Sequence, residues 1–273
     1  MRDRLPVLQA IALGALQGPT ELLPVSSSAH LMLVPWLAGW SYAELDPELR
    51  KSFEVVLHGA TAAALLVALR EEVAEATFNL DRRRVALIAL SLAPPALLGL
   101  ACERTIERHL GTPLTTAVGL IGGSAAMALA DARASGRRPR AEAGARDGLW
   151  LGVAQACALI PGVSRNGATL AAARARGFGR ADANALSRHV ALPVIVAATA
   201  LKGMRLGRRL RRDWDGALAL ALAAGGASAV CSAAACTRII RQVERERSLA
   251  PYATYRLALA GIVIRRVRQN ART

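Results

Sequence analysis

Apolar residues run through this chain in long blocks, most of them closed by a burst of basic residues. Six blocks have the length that a hydrocarbon layer of about 30 Å asks of an α-helix: Phe53–Leu69, Val85–Cys102, Leu114–Ala130, Asn184–Leu201, Trp214–Thr237 and Leu249–Ile264. They are predicted to cross a bilayer. Pro94 and Pro95 interrupt the second block and predict a kink that neighbouring helices must accommodate. Two further apolar runs, Leu5–Leu16 and Gly148–Ile160, are too short to cross. Each then meets proline and a polar cluster, which predicts re-entrant or broken helices. Arg2 and Arg4 before the first run also fit the start of a signal peptide. No small-x-small cleavage site follows, so the run is read as part of the fold.

The two short runs belong to an internal repeat. Leu13-Gly14-x-x-Gln17 recurs as Leu151-Gly152-x-x-Gln155, and Val25-Ser26 recurs as Val163-Ser164. Gln155 and Gln17, like Ser164 and Ser26, lie 138 positions apart, with no gap between the two matches. This divides a single membrane domain into repeat 1 (about 1–135), a basic loop (about 131–147) and repeat 2 (about 148–273). An odd number of crossings in each half makes the halves inverted; an even number makes them parallel.

Charge changes the picture only through its placement. The 273 residues are 53% hydrophobic yet carry a formal net charge of +15, a balance that in a soluble protein points to nucleic acid. Here the basic residues cluster at Arg82 to Arg84, Arg133 to Arg146, Lys202 to Arg212, Arg238 to Arg247 and Arg265 to Arg272, between apolar stretches. Such caps fit loops held against anionic headgroups. Aromatics make up 4% of the chain, too few to stack bases, so the expected partner is the lipid bilayer and not nucleic acid. Cys102, Cys157, Cys231 and Cys236 show no C-x-x-C spacing, which argues against zinc and against a disulfide framework. They are expected to be small buried hydrophobes.

Chemistry concentrates at the two repeat motifs. In the first, Gln17-Gly-Pro-Thr-Glu21-Leu-Leu-Pro-Val-Ser26-Ser27-Ser-Ala-His30, two prolines work against a continuous helix. One helix is expected to end near Gln17 and another to begin near Ser27, capped by serines, with N–H groups and a positive dipole end that favour an anion. Glu21 and His30 flank that start, and ionisable groups inside a membrane segment usually face a polar cavity and a partner. The plainer alternatives are that Glu21 lies at the interface and that His30 binds a neighbouring carbonyl. In the second motif, Pro161-Gly162-Val163-Ser164-Arg165-Asn166-Gly167-Ala168-Thr169, Ser164 is placed to cap the next helix and Arg165 stands at its start. A guanidinium there suits phosphate oxygens, and the alternative is an arginine snorkelling to the surface. If the repeats face each other, the expected ligand is an amphiphile with a phosphorylated head.

These two signatures resemble those of the bacitracin-resistance type of undecaprenyl-diphosphatase. Weaker similarity covers Lys51–His58 and Pro251-Tyr252-x-x-Tyr255-Arg256. The resemblance implies an all-α, polytopic helical bundle of two inverted repeats, each with a re-entrant helix hairpin. It implies a bacterial inner-membrane location with a site open to the periplasmic side. The implied reaction is hydrolysis of undecaprenyl diphosphate to the monophosphate, helped by a divalent cation (Mg2+ or Ca2+), which recycles the lipid carrier for cell-wall synthesis and gives bacitracin resistance. Carried onto this chain, Ser27 is the nucleophile with His30 as acid–base partner. Glu21 orients water or the cation, and Arg165 clamps the diphosphate. Gln17, Ser26, Ser164, Asn166 and Thr169 line the phosphate. Attack by water instead of Ser27 stays open, as does a homo-oligomer. Three departures stand out: Gln17 where many relatives are acidic, Asn166 for serine, and Arg188-His189 in a stretch that is apolar in relatives. The competing functions are a phosphorylated-lipid carrier and a catalytically weakened paralogue.

Overall fold

The computed structural model describes residues 5–71, 74, 81–134, 136–212, 216–243 and 248–271. Arg2, Arg4, Trp214, residues 244–247 and Arg272 of the segments discussed above lie outside them. Among these residues ten α-helices follow in order: α1 (Val7–Leu22), α2 (Ser27–Ala38), α3 (Pro47–Ala68), α4 (Arg82–Leu110), α5 (Pro113–Arg133), α6 (Ala145–Cys157), α7 (Arg165–Ala175), α8 (Arg180–Arg212), α9 (Gly216–Val243) and α10 (Ala250–Asn270). Among the described residues there is no β-strand, only one isolated bridge between Arg138 and Phe178.

Among the described residues five helices are long and apolar enough to cross a membrane: Pro47–Ala68, Arg82–Cys102, Pro113–Arg133, Arg180–Leu201 and Gly216–Thr237. They answer to five of the six expected blocks. The sixth, α10, is helical, but Arg256 at its middle and Arg265, Arg266 and Arg268 near its end set it apart in composition. Outward positions carry leucines that water would not tolerate in such number, including Leu97, Leu100 and Leu220. The chain is therefore a multi-pass membrane protein. All four cysteines are free, as expected, but none is buried: Cys157 and Cys231 are exposed, and Cys102 and Cys236 are half-buried. An apolar thiol needs no protein cover where the outer face meets hydrocarbon.

The short runs form hairpins. α1 has 16 residues and α6 has 13, about 24 and 20 Å of helix, less than a hydrocarbon core. Each hairpin begins and ends at one level. Gln9, near the start of α1, accepts from the Tyr42 N–H just after α2 at 3.0 Å. Asp147, in the first turn of α6, binds Arg176 just after α7 at 2.9 Å. The chain thus enters and leaves on the same side, as a re-entrant segment does. The end expected near Gln17 comes later: α1 continues through Pro19 to Leu22, and the Thr20 hydroxyl bonds back to the Leu16 carbonyl at 2.8 Å.

The sequence repeat has a structural counterpart. Adding 138 carries the start of α1 onto that of α6, Val7 to Ala145, and the start of α2 onto that of α7, Ser27 to Arg165. The same shift brings α3, α4 and α5 onto α8, α9 and α10 within a few residues. Packing exchanges between the halves: α1 lies along α9, and α6 along α4. A Cβ on Gly14 would strike the Gly225 carbonyl and Ser228, and one on Gly152 would strike the Leu90 carbonyl and Pro94. Ser228 and Leu90 are themselves 138 apart, so the two glycines approach corresponding stretches of α9 and α4.

Part of the basic character is internal. Asp131 gathers Arg174, Arg180 and the Leu249 N–H, and Asp147 gathers Arg138 and Arg176. Burial alone would raise the pKa of Asp147. Hydrogen bonds from Arg138, the Gly144 N–H and Arg176 more than reverse this and hold it below its ordinary value. These arginines tie the basic loop to the hairpin ends.

Candidate active site

Both hairpin tips break at a serine with positive φ. Ser26 (φ 77°) and Ser164 (φ 72°) are the N-caps of α2 and α7, and they are the only non-glycine residues with positive φ among the described residues. Such backbone costs on the order of 1–3 kcal/mol per residue and persists where the surroundings over-determine it. Each serine Oγ accepts from the N–H three residues on, Ala29 for Ser26 and Gly167 for Ser164. The strained turn puts the next residue, Ser27 or Arg165, at the first position of its helix.

The two tips meet there. Glu21 bridges them: its Oε2 accepts from the Ser27 hydroxyl at 2.7 Å, and its Oε1 takes Nη2 of Arg165 at 2.6 Å. A nearly buried carboxylate needs such compensation, since lost hydration must be replaced by an opposite charge and donors. Gln17, fully buried, donates its amide to Glu21 at 3.4 Å, and His58 Nδ1 lies 3.3 Å from the same carboxylate. Asn166 Nδ2 adds a bond to the Leu22 carbonyl at 2.8 Å.

Of the residues singled out from the sequence, Glu21, Ser27 and Arg165 come together, with Gln17 behind the carboxylate and Asn166 beside it. Four are turned elsewhere. His30 does not face Ser27: its Nδ1 lies 2.7 Å from the Ser26 carbonyl and its Nε2 lies 2.7 Å from the Tyr255 hydroxyl. A carbonyl only accepts, so Nδ1 carries the proton and Nε2 is left to Tyr255, whose ring stacks on the imidazole. The hydroxyls of Ser26 and Ser164 are engaged as caps, and that of Thr169 meets Ser187 at 2.6 Å.

Residues that carried no role in the sequence reading complete the site. His58, on α3, backs Glu21 and Gln17; an ionisable side chain inside an apolar block was its signal. Ser187 joins Asn166 and Thr169 to α8. Arg256 is fully buried and bonds to carbonyls of both tips: Pro24 on the first, Gly162 and Val163 on the second. A cleft opens beside Glu21 and Arg165, bounded by α3 and α8. One side of it is polar, the other is leucine and isoleucine.

A carboxylate on a serine hydroxyl, an arginine beside it, two helix N-termini and an apolar cleft can together bind a phosphorylated amphiphile and attack it. Comparison with known proteins agrees. Residues 10–262 match the family model described as bacitracin resistance protein BacA. An undecaprenyl-diphosphatase of Geobacter sulfurreducens is 37% identical over 271 residues, covering 94% of this chain and 97% of that protein. One from Pelobacter propionicus is 36% identical over 271 residues, covering 94% and 96%.

Proposed function

The chain belongs to the bacitracin resistance protein BacA family, and from that premise we propose how it hydrolyses undecaprenyl diphosphate to the monophosphate and inorganic phosphate. The carrying observation is the 2.7 Å bond from Ser27 to Glu21, with Arg165 on the other oxygen of the same carboxylate. Glu21 accepts the hydroxyl proton as Ser27 Oγ attacks the terminal phosphorus. The bond from that phosphorus to the bridging oxygen breaks, and the lipid monophosphate leaves. Arg165 and the N–H groups at the starts of α2 and α7 stabilise charge on the transferring oxygens. Water then attacks the phosphoserine, the bond from phosphorus to Oγ breaks, inorganic phosphate leaves, and Glu21 returns its proton to Ser27. His30 acts from a distance, holding the start of α2 between the Ser26 carbonyl and Tyr255.

The divalent cation that the resemblance implies does not fit a protein-only ligand set. Among the described residues no three His, Cys, Asp or Glu side chains converge. Glu21, the carboxylate assigned to the ion, already serves Ser27 and Arg165, and Gln17 adds only a neutral oxygen, buried and unpartnered. No step is routed through it.

We also infer that the halves are inverted, with the enzyme in the bacterial inner membrane and its site open to the periplasmic side. The inversion is supported by two re-entrant hairpins that close at their far ends and touch at their tips. A pure lipid carrier needs Arg165 but not a hydroxyl aligned on a carboxylate. Phosphate release from polyprenyl diphosphate by purified protein tests the reading, with Ser27→Ala and Arg165→Ala beside the wild type. Release abolished in both variants is expected. No release by the wild type, with or without magnesium or calcium, while lipid still binds, would leave the carrier.

A further inference from the structure

One face of α8 lines the cleft, through Asn184, Ser187, Arg188, Ala191, Leu192 and Ile195. These positions are three and four apart and so lie in one row on the helix. The row changes character along its length. Asn184, Ser187 and Arg188 are polar, and the remaining three are apolar and face Leu65 and Leu69 of α3 across the cleft. The polar end adjoins the reaction centre, because Ser187 bonds to Asn166, the neighbour of Arg165, at 3.0 Å. Arg188 therefore stands between the Glu21–Ser27–Arg165 cluster and the apolar wall.

A lipid diphosphate has the same order: terminal phosphate, ester phosphate, hydrocarbon. Arg165 is committed to the end where Ser27 attacks. The second phosphate also carries charge, which a second cation offsets. We propose that Arg188 binds the ester phosphate, the one that remains on the lipid, and so sets affinity for both substrate and lipid product. Its planar guanidinium can hold two phosphate oxygens at once. This assignment rests on the phosphatase reading above and deepens it: Arg165 serves the group that is transferred, and Arg188 serves the leaving group.

The test separates the two. Steady-state hydrolysis of undecaprenyl diphosphate is measured for wild type, Arg188→Ala and Arg188→Lys, with inhibition by undecaprenyl monophosphate and by inorganic phosphate. For Arg188→Ala, KM and the inhibition constant for the lipid monophosphate should each rise about tenfold, the scale of one charge-assisted phosphate contact. The kcat should stay within about threefold, inhibition by inorganic phosphate should be unchanged, and Arg188→Lys should recover part of the loss. Unchanged KM and lipid-monophosphate inhibition would overturn the proposal, as would a fall in kcat at constant KM. Should the wild type release no phosphate, the phosphatase reading fails by itself. Direct binding of the lipid monophosphate then decides on Arg188: weaker in Arg188→Ala supports the subsite, and equal binding removes it.

Discussion

Replacing Arg256 with methionine tests whether the two hairpin tips are held together by one buried guanidinium. The side chain has no solvent exposure, and bonds to Gly162 and Val163 at 2.8 Å each and to Pro24 at 3.2 Å. Methionine roughly fills the volume and donates nothing, so the three tip carbonyls lose a donor, and the Leu120 carbonyl loses a long contact at 3.4 Å that is left out of the sum. At about 1 kcal/mol each, the low end for a group that keeps a second lone pair, the loss is about 3 kcal/mol. Relief from burying the arginine charge offsets part of this. Protein in detergent should therefore unfold at a midpoint lower by several degrees. Activity should fall further than stability, because Val163 adjoins the capping Ser164 and Pro24 lies two residues before the capping Ser26. A control of similar stability cost, such as Asp131→Asn at the opposite end of α7, should lose stability and keep most of its kcat. Thermal unfolding and phosphate release, measured on both variants, read the two effects separately. Arg256→Met with wild-type kcat, or with a loss no larger than the control's, would refute the clamp.

Glu21→Gln keeps the shape and a hydrogen bond for Ser27 but removes the base, and kcat should drop by about 100-fold or more while lipid binding persists; equal losses in kcat and affinity would make Glu21 a packing residue. Gln17→Glu adds a second carboxylate within reach of Glu21, and added magnesium or calcium should then stimulate phosphate release more than it does in the wild type; an equal response removes position 17 from any cation site. Asp147 is held below its ordinary pKa near 3.8 by its partners, so it stabilises the fold above that pH and the contribution is lost as pH falls through the lowered value. Unfolding midpoints from pH 7 down to pH 3 should show an acid loss that Asp147→Asn lacks; identical acid limbs would dismiss the linkage.

Much of the scaffold was readable along the chain. Blocks of apolar residues closed by arginines mark the crossings because hydrocarbon tolerates little else. The offset of 138 marks the repeat because each hairpin must approach the corresponding helix closely, Gly14 on α9 and Gly152 on α4. Boundaries were less legible. α1 runs past Pro19 because the Ala15 carbonyl, which proline leaves without its helical donor, accepts from the Ser232 hydroxyl of α9 at 2.6 Å. The cysteines face outward because a membrane protein has no need to hide them.

The sequence by itself determined which residue types meet: a carboxylate, a serine and an arginine at two helix starts, since capping and helix breaking are local. Partnership was decided only by the tertiary structure. His30 and Ser27 are three residues apart, close enough to pair on one helix, yet the imidazole is taken by the Ser26 carbonyl and by Tyr255 from the far end of the chain. Ser27 turns to Glu21, six residues back across a bend, and Glu21 reaches Arg165 in the other half. His58, Arg188 and Arg256 stand out in the sequence as ionisable residues in apolar stretches, but which groups they meet is set by the packing of α3, α8 and α10. Local spacing constrains neighbours within a turn or two of helix, whereas which buried donor satisfies which acceptor depends on how distant helices pack.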